Sequence, residues 1–232
     1  MAGRYQRFLN QGFKTPKYLL PWGAQTVLAV ILSELIKCNL FTEVIVVGNQ
    51  RDDAYMPHVR AVMKHHSINI NNLILTQDTS GQVETALLGI AALQNTHGYE
   101  SVPIVIHNID TILLGRNLKD IEKSLKTNAG YIDIFGANNK GYSYVLIDDA
   151  NRVVEIAEKI VVSDLATSGL YAFKTAKVFK EYSLPGDVFI SSILNRMIMS
   201  GESVVASKNY KQKDTIVLGT PEEYLNASLT LL

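Results

Sequence analysis

The chain has 232 residues, 47% of them hydrophobic and 19% charged, and 22 basic side chains balance 22 acidic ones. That composition is ordinary for a globular protein with a full-sized core, and its neutrality argues against the broad positive face that nucleic-acid binding needs. One cysteine, Cys38, excludes an internal disulfide and, with five scattered histidines, a Cys/His zinc cluster. Cys38 follows a helical apolar pattern and is expected to be a buried space-filler. The longest apolar stretch, Val27 to Leu32, is too short to span a bilayer, so no membrane partner is expected. No charged-then-apolar leader follows Met1, and a cytoplasmic location is expected. With no linker-like run and no internal repeat, residues 1–232 are expected to form a single domain.

Up to Lys17 the chain carries Arg4, Arg7, Lys14 and Lys17 around Gly3 and Gly12, and its first acidic residue is Glu34. Glycines let backbone amides approach a ligand, and guanidinium forks match phosphate oxygens in pairs. Such a local device favours a polyphosphate over nucleic acid; the alternative is a solvated N-terminal arm. Next, Val27, Val30, Ile31 and Leu35 predict a helix over Thr26 to Lys37, and Val44 to Gly48 a short buried strand. Asp52 or Asp53 can cap a helix through His66, on which His65 and His66 do not share a face and are expected to be solvated. Leu73 to Thr76 reads as a strand, Ser80-Gly81 opens a helix to about Gln94, and Pro103 to His107 is a third buried strand running into Asn108-Ile109-Asp110. Buried strands separated by helices predict a parallel sheet covered on both faces, with ligands beyond the carboxyl ends of its strands, where the Asp110 turn lies.

From Gly130 the rhythm becomes that of an antiparallel meander, with strands over Tyr131 to Ala137, Tyr142 to Ile147, Val153 to Ala157 and Ala166 to Phe173. Helices are expected over Ala176 to Tyr182 and Val188 to Met199, and strands near Val204 and Ile216. A last helix opens with Thr220-Pro221-Glu222-Glu223, a capping box with proline at the first helical position. The class is therefore α/β with a mixed, mostly parallel central sheet and an antiparallel-rich second half.

The ordered set Ala2-Gly3-x-x-x-Arg7, Pro16-Lys17-x-Leu19-Leu20, Gly81-Gln82, Asp110, Glu158-Lys159, Thr167-Ser168-Gly169-Leu170-Tyr171 and Gly219-Thr220-Pro221-Glu222 resembles the sugar nucleotidyltransferases, or nucleoside-diphosphate-sugar pyrophosphorylases. Glucose-1-phosphate thymidylyltransferase is a familiar member. The resemblance spans nearly the whole chain and implies a nucleotide-diphospho-sugar transferase fold, with a nucleotide-binding half over 1–115 and a sugar-phosphate-binding half over 116–232. It also implies the chemistry: a sugar 1-phosphate oxygen attacks the α-phosphorus of a nucleoside triphosphate in line, and pyrophosphate leaves, as in the making of surface-polysaccharide precursors. The nucleophile is already an anion, so positioning and charge neutralisation by Arg, Lys and Mg²⁺ do most of the work.

By that resemblance Arg7 holds the β- and γ-phosphates, Lys17 the α-phosphate and Asp110 the metal, while Ala2 and Gly3 line the nucleotide. Gln77 and Gly81 meet the base, by amide hydrogen bonding and close backbone approach. Glu158 and Lys159 hold the sugar hydroxyls and the acceptor phosphate, with Ser143, Tyr144 and Tyr171 flanking the sugar. The residues alone leave other roles open: Lys17 as a surface-turn lysine, Asp110 as a cap, Glu158-Lys159 as an exposed strand-end pair, Gln77 as a polar strand end, and the tyrosines as half-buried packing.

Three departures qualify the resemblance. Family members begin with a short apolar strand before the glycine-rich loop, whereas here the loop follows Met1 directly; the first strand is expected to be missing and residues 1–14 to have no strand to anchor them. Tyr5 replaces the second loop glycine, where it is expected to resist positive φ and to fill phosphate space. Val217 stands where a late metal-binding carboxylate is expected, and Asp214, three residues away, faces differently along a strand. These departures motivate a rival to the enzyme, a catalytically impaired nucleotide-sugar-binding or regulatory subunit; within the enzyme class the alternative is a cytidylyltransferase acting on a phosphate such as phosphocholine. The base, the sugar and the oligomeric state are left open, a homo-oligomer being compatible.

Overall fold

A computed structural model describes residues 1–94, 98–208 and 214–231. In chain order the helices are α1 (Gln6–Asn10), α2 (Val27–Ile36), α3 (Met56–His65), α4 (Gln82–Ala91), α5 (Lys119–Leu125), α6 (Ala176–Tyr182), α7 (Ile190–Met199) and α8 (Pro221–Ser228). The strands are β1 (Pro21–Trp22), β2 (Gln25–Thr26), β3 (Val46–Asn49), β4 (Leu73–Thr76), β5 (Ile104–His107), β6 (Thr111–Leu113), β7 (Gly130–Gly136), β8 (Ser143–Ile147), β9 (Val153–Glu158), β10 (Leu165–Phe173), β11 (Val204–Ala206) and β12 (Thr215–Val217). The helix starts follow their caps. Thr26 accepts from the Ala29 amide to open α2, Thr175 from Val178 to open α6, and Thr220 and Glu223 form both bonds of the capping box that opens α8. No described helix is long and apolar enough to cross a membrane.

The chain packs as two compact units. The first comprises Met1–Thr79, Asn108–Arg116 and Asp214–Leu232, the second Ser80–His107 and Asn117–Lys213, so each draws on both halves of the sequence. In the first unit β3 and β4 pair in parallel, Val46 opposite Leu73 through Asn49 opposite Thr76, and β6 pairs antiparallel with β12. One of its apolar clusters gathers Tyr18, Leu28, Val46, Met56, Val59 and Met63; another gathers Phe8, Trp22, Ile31, Ile112, Leu218 and Tyr224. The second unit is built on a sheet in the order β11-β7-β10-β8-β9, with β5 also pairing with β10. Its core includes Val83, Ile132, Ile134, Phe173, Phe179, Ile193 and Met197. Gly169, at φ 90°, lies where the β10–β7 register shifts between Thr167 and Tyr171, the signature of a bulge.

The fold is the expected mixed α/β class, but its ladders are mostly antiparallel. Among the described residues parallel pairing is confined to β3–β4 and β7–β11, and β5, expected in the parallel sheet, runs antiparallel to β10. A tight turn through Asn151, at φ 64°, forces β8 and β9 into a hairpin. Other expectations need correcting. Asp52 and Asp53 do not cap α3: a 3₁₀ turn over Gln50–Tyr55 precedes it, capped by Asn49, whose side chain accepts from the Arg51 amide. Cys38 is half-buried, and its thiol donates to the Leu35 carbonyl at 3.0 Å. Residues 1–14 are anchored by side chains: Phe8 is 1% exposed and meets Phe13 and Tyr224 edge to face, and the Tyr55 hydroxyl donates to the Lys14 carbonyl.

His66 is half-buried rather than solvated. Its ring meets that of His65 edge to face, and its Nε2 is buried without a hydrogen-bond partner among the described residues. Desolvation, then the His65 charge, lowers its pKa below the usual 6.5. The folded protein therefore gives up this proton more readily than the unfolded chain, so the His66 contribution to stability is intact above pH 6.5 and declines as pH falls through the window below it. Thermal melts from pH 7.5 to 5 are expected to drop less steeply for His66→Gln than for the wild type; identical slopes would remove His66 from the acid response.

Candidate functional site

The N-terminal segment of the first unit is held through its backbone. The Ala2 carbonyl accepts from Asn49 and Arg51, both at 3.3 Å, and the Gly3 carbonyl accepts from Arg51 at 2.6 Å. Arg4 pairs with Asp78 at 2.8 Å, and Asp78 also accepts from Asn49 at 3.0 Å and from the Arg51 guanidinium. Desolvation opposes ionisation of Asp78, but Arg4 and Arg51 prevail and hold its carboxyl below the usual range. Tyr5 does adopt the left-handed conformation, φ 32° and ψ 37°, contrary to the expectation that it resists it. Its hydroxyl donates to Asp52 at 2.7 Å and its ring lies under the Arg51 guanidinium at 5.4 Å, contacts that offset the steric cost. Burial and then the Asp52 hydrogen bond push the Tyr5 phenol up to about 12. Arg7 follows on α1 with its side chain exposed.

Lys17 emerges from a 3₁₀ turn, Lys17–Leu19, after the buried Pro16, and its Nζ lies 2.9 Å from Asp110 Oδ2. The two side chains are 18% and 32% exposed, enough solvent contact for a ligand to reach them. Asp110 is fixed by its backbone, its carbonyl accepting from the Leu218 amide at 2.7 Å just before β6. On the paired strand, Val217 stands opposite Thr111, and a Cβ added to Gly219 would lie 3.8 Å from Asp110 Oδ2. The position of the expected second carboxylate thus adjoins Asp110 and is aliphatic. Asp214 is at the other end of that ladder, its carbonyl accepting from Leu114, about 10 Å along the strand from Val217.

Among the described residues no group of three or more His, Cys, Asp or Glu side chains is placed to hold a metal. Magnesium commonly takes one or two carboxylates and completes its shell with water and substrate phosphates. Asp110, with Val217 where a second carboxylate is expected, fits an ion that arrives with phosphates and does not fit one caged by protein alone.

Gln77 is exposed just after β4 in the first unit. Gly81, in the second unit, is the N-terminal cap of α4, and its missing side chain accommodates Val188: an added Cβ would lie 2.4 Å from the Val188 carbonyl oxygen and 2.7 Å from its Cγ1. Also in the second unit, the Glu158 carboxylate accepts from the hydroxyls of Ser143 and Ser191, the latter at 3.0 Å. The neighbouring Lys159 has φ 59°, its amide donates to the Tyr142 carbonyl at 3.0 Å, and its ammonium lies 5.1 Å over the Phe189 ring. Tyr144 is fully buried with its hydroxyl donated to the Asn139 carbonyl, and Tyr171 is 3% exposed with its hydroxyl 3.0 Å from Thr167 Oγ1. Both tyrosines pack and brace; neither phenol is presented to solvent.

Sequence reasoning missed Asp52, Asp78, Ser191 and Phe189. Asp52 read only as a possible helix cap, Asp78 carries no motif, and nothing in the α7 sequence marks Ser191 as a partner for a carboxylate 33 residues earlier. Gly81→Ala is expected to destabilise the protein by about 1–3 kcal/mol through overpacking on Val188, checked by denaturant unfolding. A midpoint equal to wild type would show that Val188 yields freely.

A family model described as nucleotidyl transferase matches residues 2–232. The structure superposes on a nucleoside-diphosphate-sugar pyrophosphorylase from Vibrio cholerae RC9 with a TM-score of 0.83 and 25% identity, covering 97% of this chain and 96% of that one. A UDP-glucose pyrophosphorylase complexed with UDP-glucose gives a TM-score of 0.69 at 16% identity, covering 98% and 94%. The inositol-1-phosphate CTP transferase from T. maritima gives 0.69 at 14% identity, covering 99% and 92%. No curated protein sequence matches.

Proposed function

Since this chain belongs to the nucleotidyl transferase family, we propose that it transfers a nucleotidyl group from a nucleoside triphosphate to a sugar 1-phosphate and releases pyrophosphate, supplying precursors of surface polysaccharide in the cytoplasm. The observation that carries this proposal is the Lys17–Asp110 pair, 2.9 Å apart, which joins the cation-rich N-terminal segment to the turn before β6. An acceptor phosphate oxygen forms a bond to the α-phosphorus, and the bond from that phosphorus to the pyrophosphate oxygen breaks. The nucleophile enters ionised, so no side chain need act as a base. Lys17 neutralises the charge that grows on the α-phosphate, where a partly desolvated ammonium acts more strongly than it would in water. Arg7 meets the β- and γ-phosphates, the backbone at Ala2 and Gly3 lines the nucleotide, and Gln77 and Gly81 face the base. Glu158, oriented by Ser143 and Ser191, accepts from sugar hydroxyls, and Lys159 holds the acceptor phosphate; Tyr144 and Tyr171 shape the sugar side from within the sheet. Asp110 would hold Mg²⁺, which when bound neutralises and orients phosphate oxygens.

A second acceptor class, a non-sugar phosphate such as phosphocholine taken with CTP, is compatible with the likeness in fold to the inositol-1-phosphate CTP transferase. Val217 beside Asp110 favours the impaired binding subunit. Pyrophosphate release from five triphosphates against sugar 1-phosphates, inositol 1-phosphate and phosphocholine separates the three. Release with a sugar 1-phosphate is expected; release only with the other acceptors selects the second class, and binding without release selects the impaired subunit. On the active pair, Lys17→Ala and Asp110→Ala are each expected to lower turnover by about 10²-fold or more, near 2.7 kcal/mol, with little change in melting temperature. Undiminished turnover in either variant would remove that residue from the mechanism.

A further inference from the structure

Asp52 is 2% exposed, and each of its carboxylate oxygens takes a different phenol: Tyr5 donates to Oδ1 at 2.7 Å and Tyr18 to Oδ2 at 2.9 Å. Arg51 Nε, 3.7 Å from Oδ1, supplies the countercharge. The two phenols bracket Arg7, Lys14 and Lys17, since Tyr5 immediately precedes α1 and Tyr18 immediately follows Lys17. Hydrogen bonds to an ionised acceptor are about twice as strong as neutral ones, and a buried carboxylate stripped of donors is costly, so both ends of the segment are tied to one point. Tyr5 holds a left-handed conformation, which a residue with a side chain adopts only when its surroundings compensate; its hydroxyl on Asp52 is that compensation.

We propose that Asp52 is a positioning residue for the phosphate-binding segment: it closes residues 5–18 into a preformed loop and so delivers Lys17 to Asp110 before any ligand arrives. Tyr5, in the place of a glycine, is then an anchor and not an obstruction. What the loop receives rests on the nucleotidyl-transfer proposal; the anchoring does not. A loop ordered in advance spares the ligand the entropy of ordering it.

The test is amide hydrogen exchange on the intact protein, joined to calorimetric titration with ATP, GTP, CTP, UTP and dTTP in the presence of Mg²⁺. Asp52→Asn is expected to speed exchange at residues 5–18 tenfold or more while amides of β7 and β10 in the second unit exchange as before, and to weaken the binding of whichever triphosphate the wild type takes by tenfold or more. Tyr5→Phe and Tyr18→Phe, each removing one bond, are expected to give smaller shifts in the same direction, and they decide the matter if Asp52→Asn does not fold. Unchanged exchange in the loop, exchange that rises equally in both units, or faster loop exchange with undiminished triphosphate affinity would overturn the proposal. A wild type that binds no triphosphate would overturn the nucleotidyl-transfer proposal instead, and the exchange rates would still decide whether Asp52 anchors the loop.

Discussion

A buried carboxylate must be surrounded by donors, and in the first unit that requirement organises the segment that carries the cations. Asp52 gathers Tyr5 and Tyr18, and Arg51 beside it reaches back to the Ala2 and Gly3 carbonyls and across to Asp78. Backbone at residues 2–3, a strained residue at 5 and the residue after Lys17 are therefore fixed to the short connection between β3 and α3. Phe8, turned inward from α1 onto Phe13 and Tyr224, adds the apolar part of the same restraint.

The electrostatics divide between surface and interior. Arg4 and Asp78 are well exposed, so their pairing adds little stability and serves mainly to set the position of the segment. Lys17 and Asp110 are more enclosed, so their charges interact through a less screening medium. On the proposed function, a phosphate entering here would exchange one anion for another at Lys17, and a cation entering with it would relieve Asp110 of the lost partner. Charge balance at the pair would then be kept on both sides of the exchange, in keeping with the proposed triphosphate and metal. In the second unit Glu158 is oriented by two hydroxyls, which fix the carboxylate without neutralising it.

Much of the fold was legible because local rules decided it. Period-2 and period-3.6 apolar patterns located the longer strands and helices, and the Thr220 to Glu223 capping box named its own helix start. What was illegible depended on distant partners. The short elements α1, α5, β6 and the β1–β2 hairpin are too brief to show a period, and β5 could not announce from sequence that its partner is β10, more than 60 residues later. In the candidate site, Lys17 and Asp110 were visible as residue types in a suggestive order, and the structure brings them together. Asp52 was misread as a cap because an aspartate before a helix is usually one; only the tertiary placement of two tyrosines turns it inward. The tyrosine in the loop looked like a defect for the same reason, its compensating partner lying 47 residues away.

We propose that the triphosphate is cut beside the Lys17–Asp110 pair. A crystal structure with a non-hydrolysable triphosphate and Mg²⁺ tests it most directly. An α-phosphate oxygen is expected within about 3 Å of Lys17 Nζ, with the metal on the Asp110 carboxylate. A triphosphate bound elsewhere, with Lys17 still paired to Asp110 and no metal beside it, would show that the cut is made at another place.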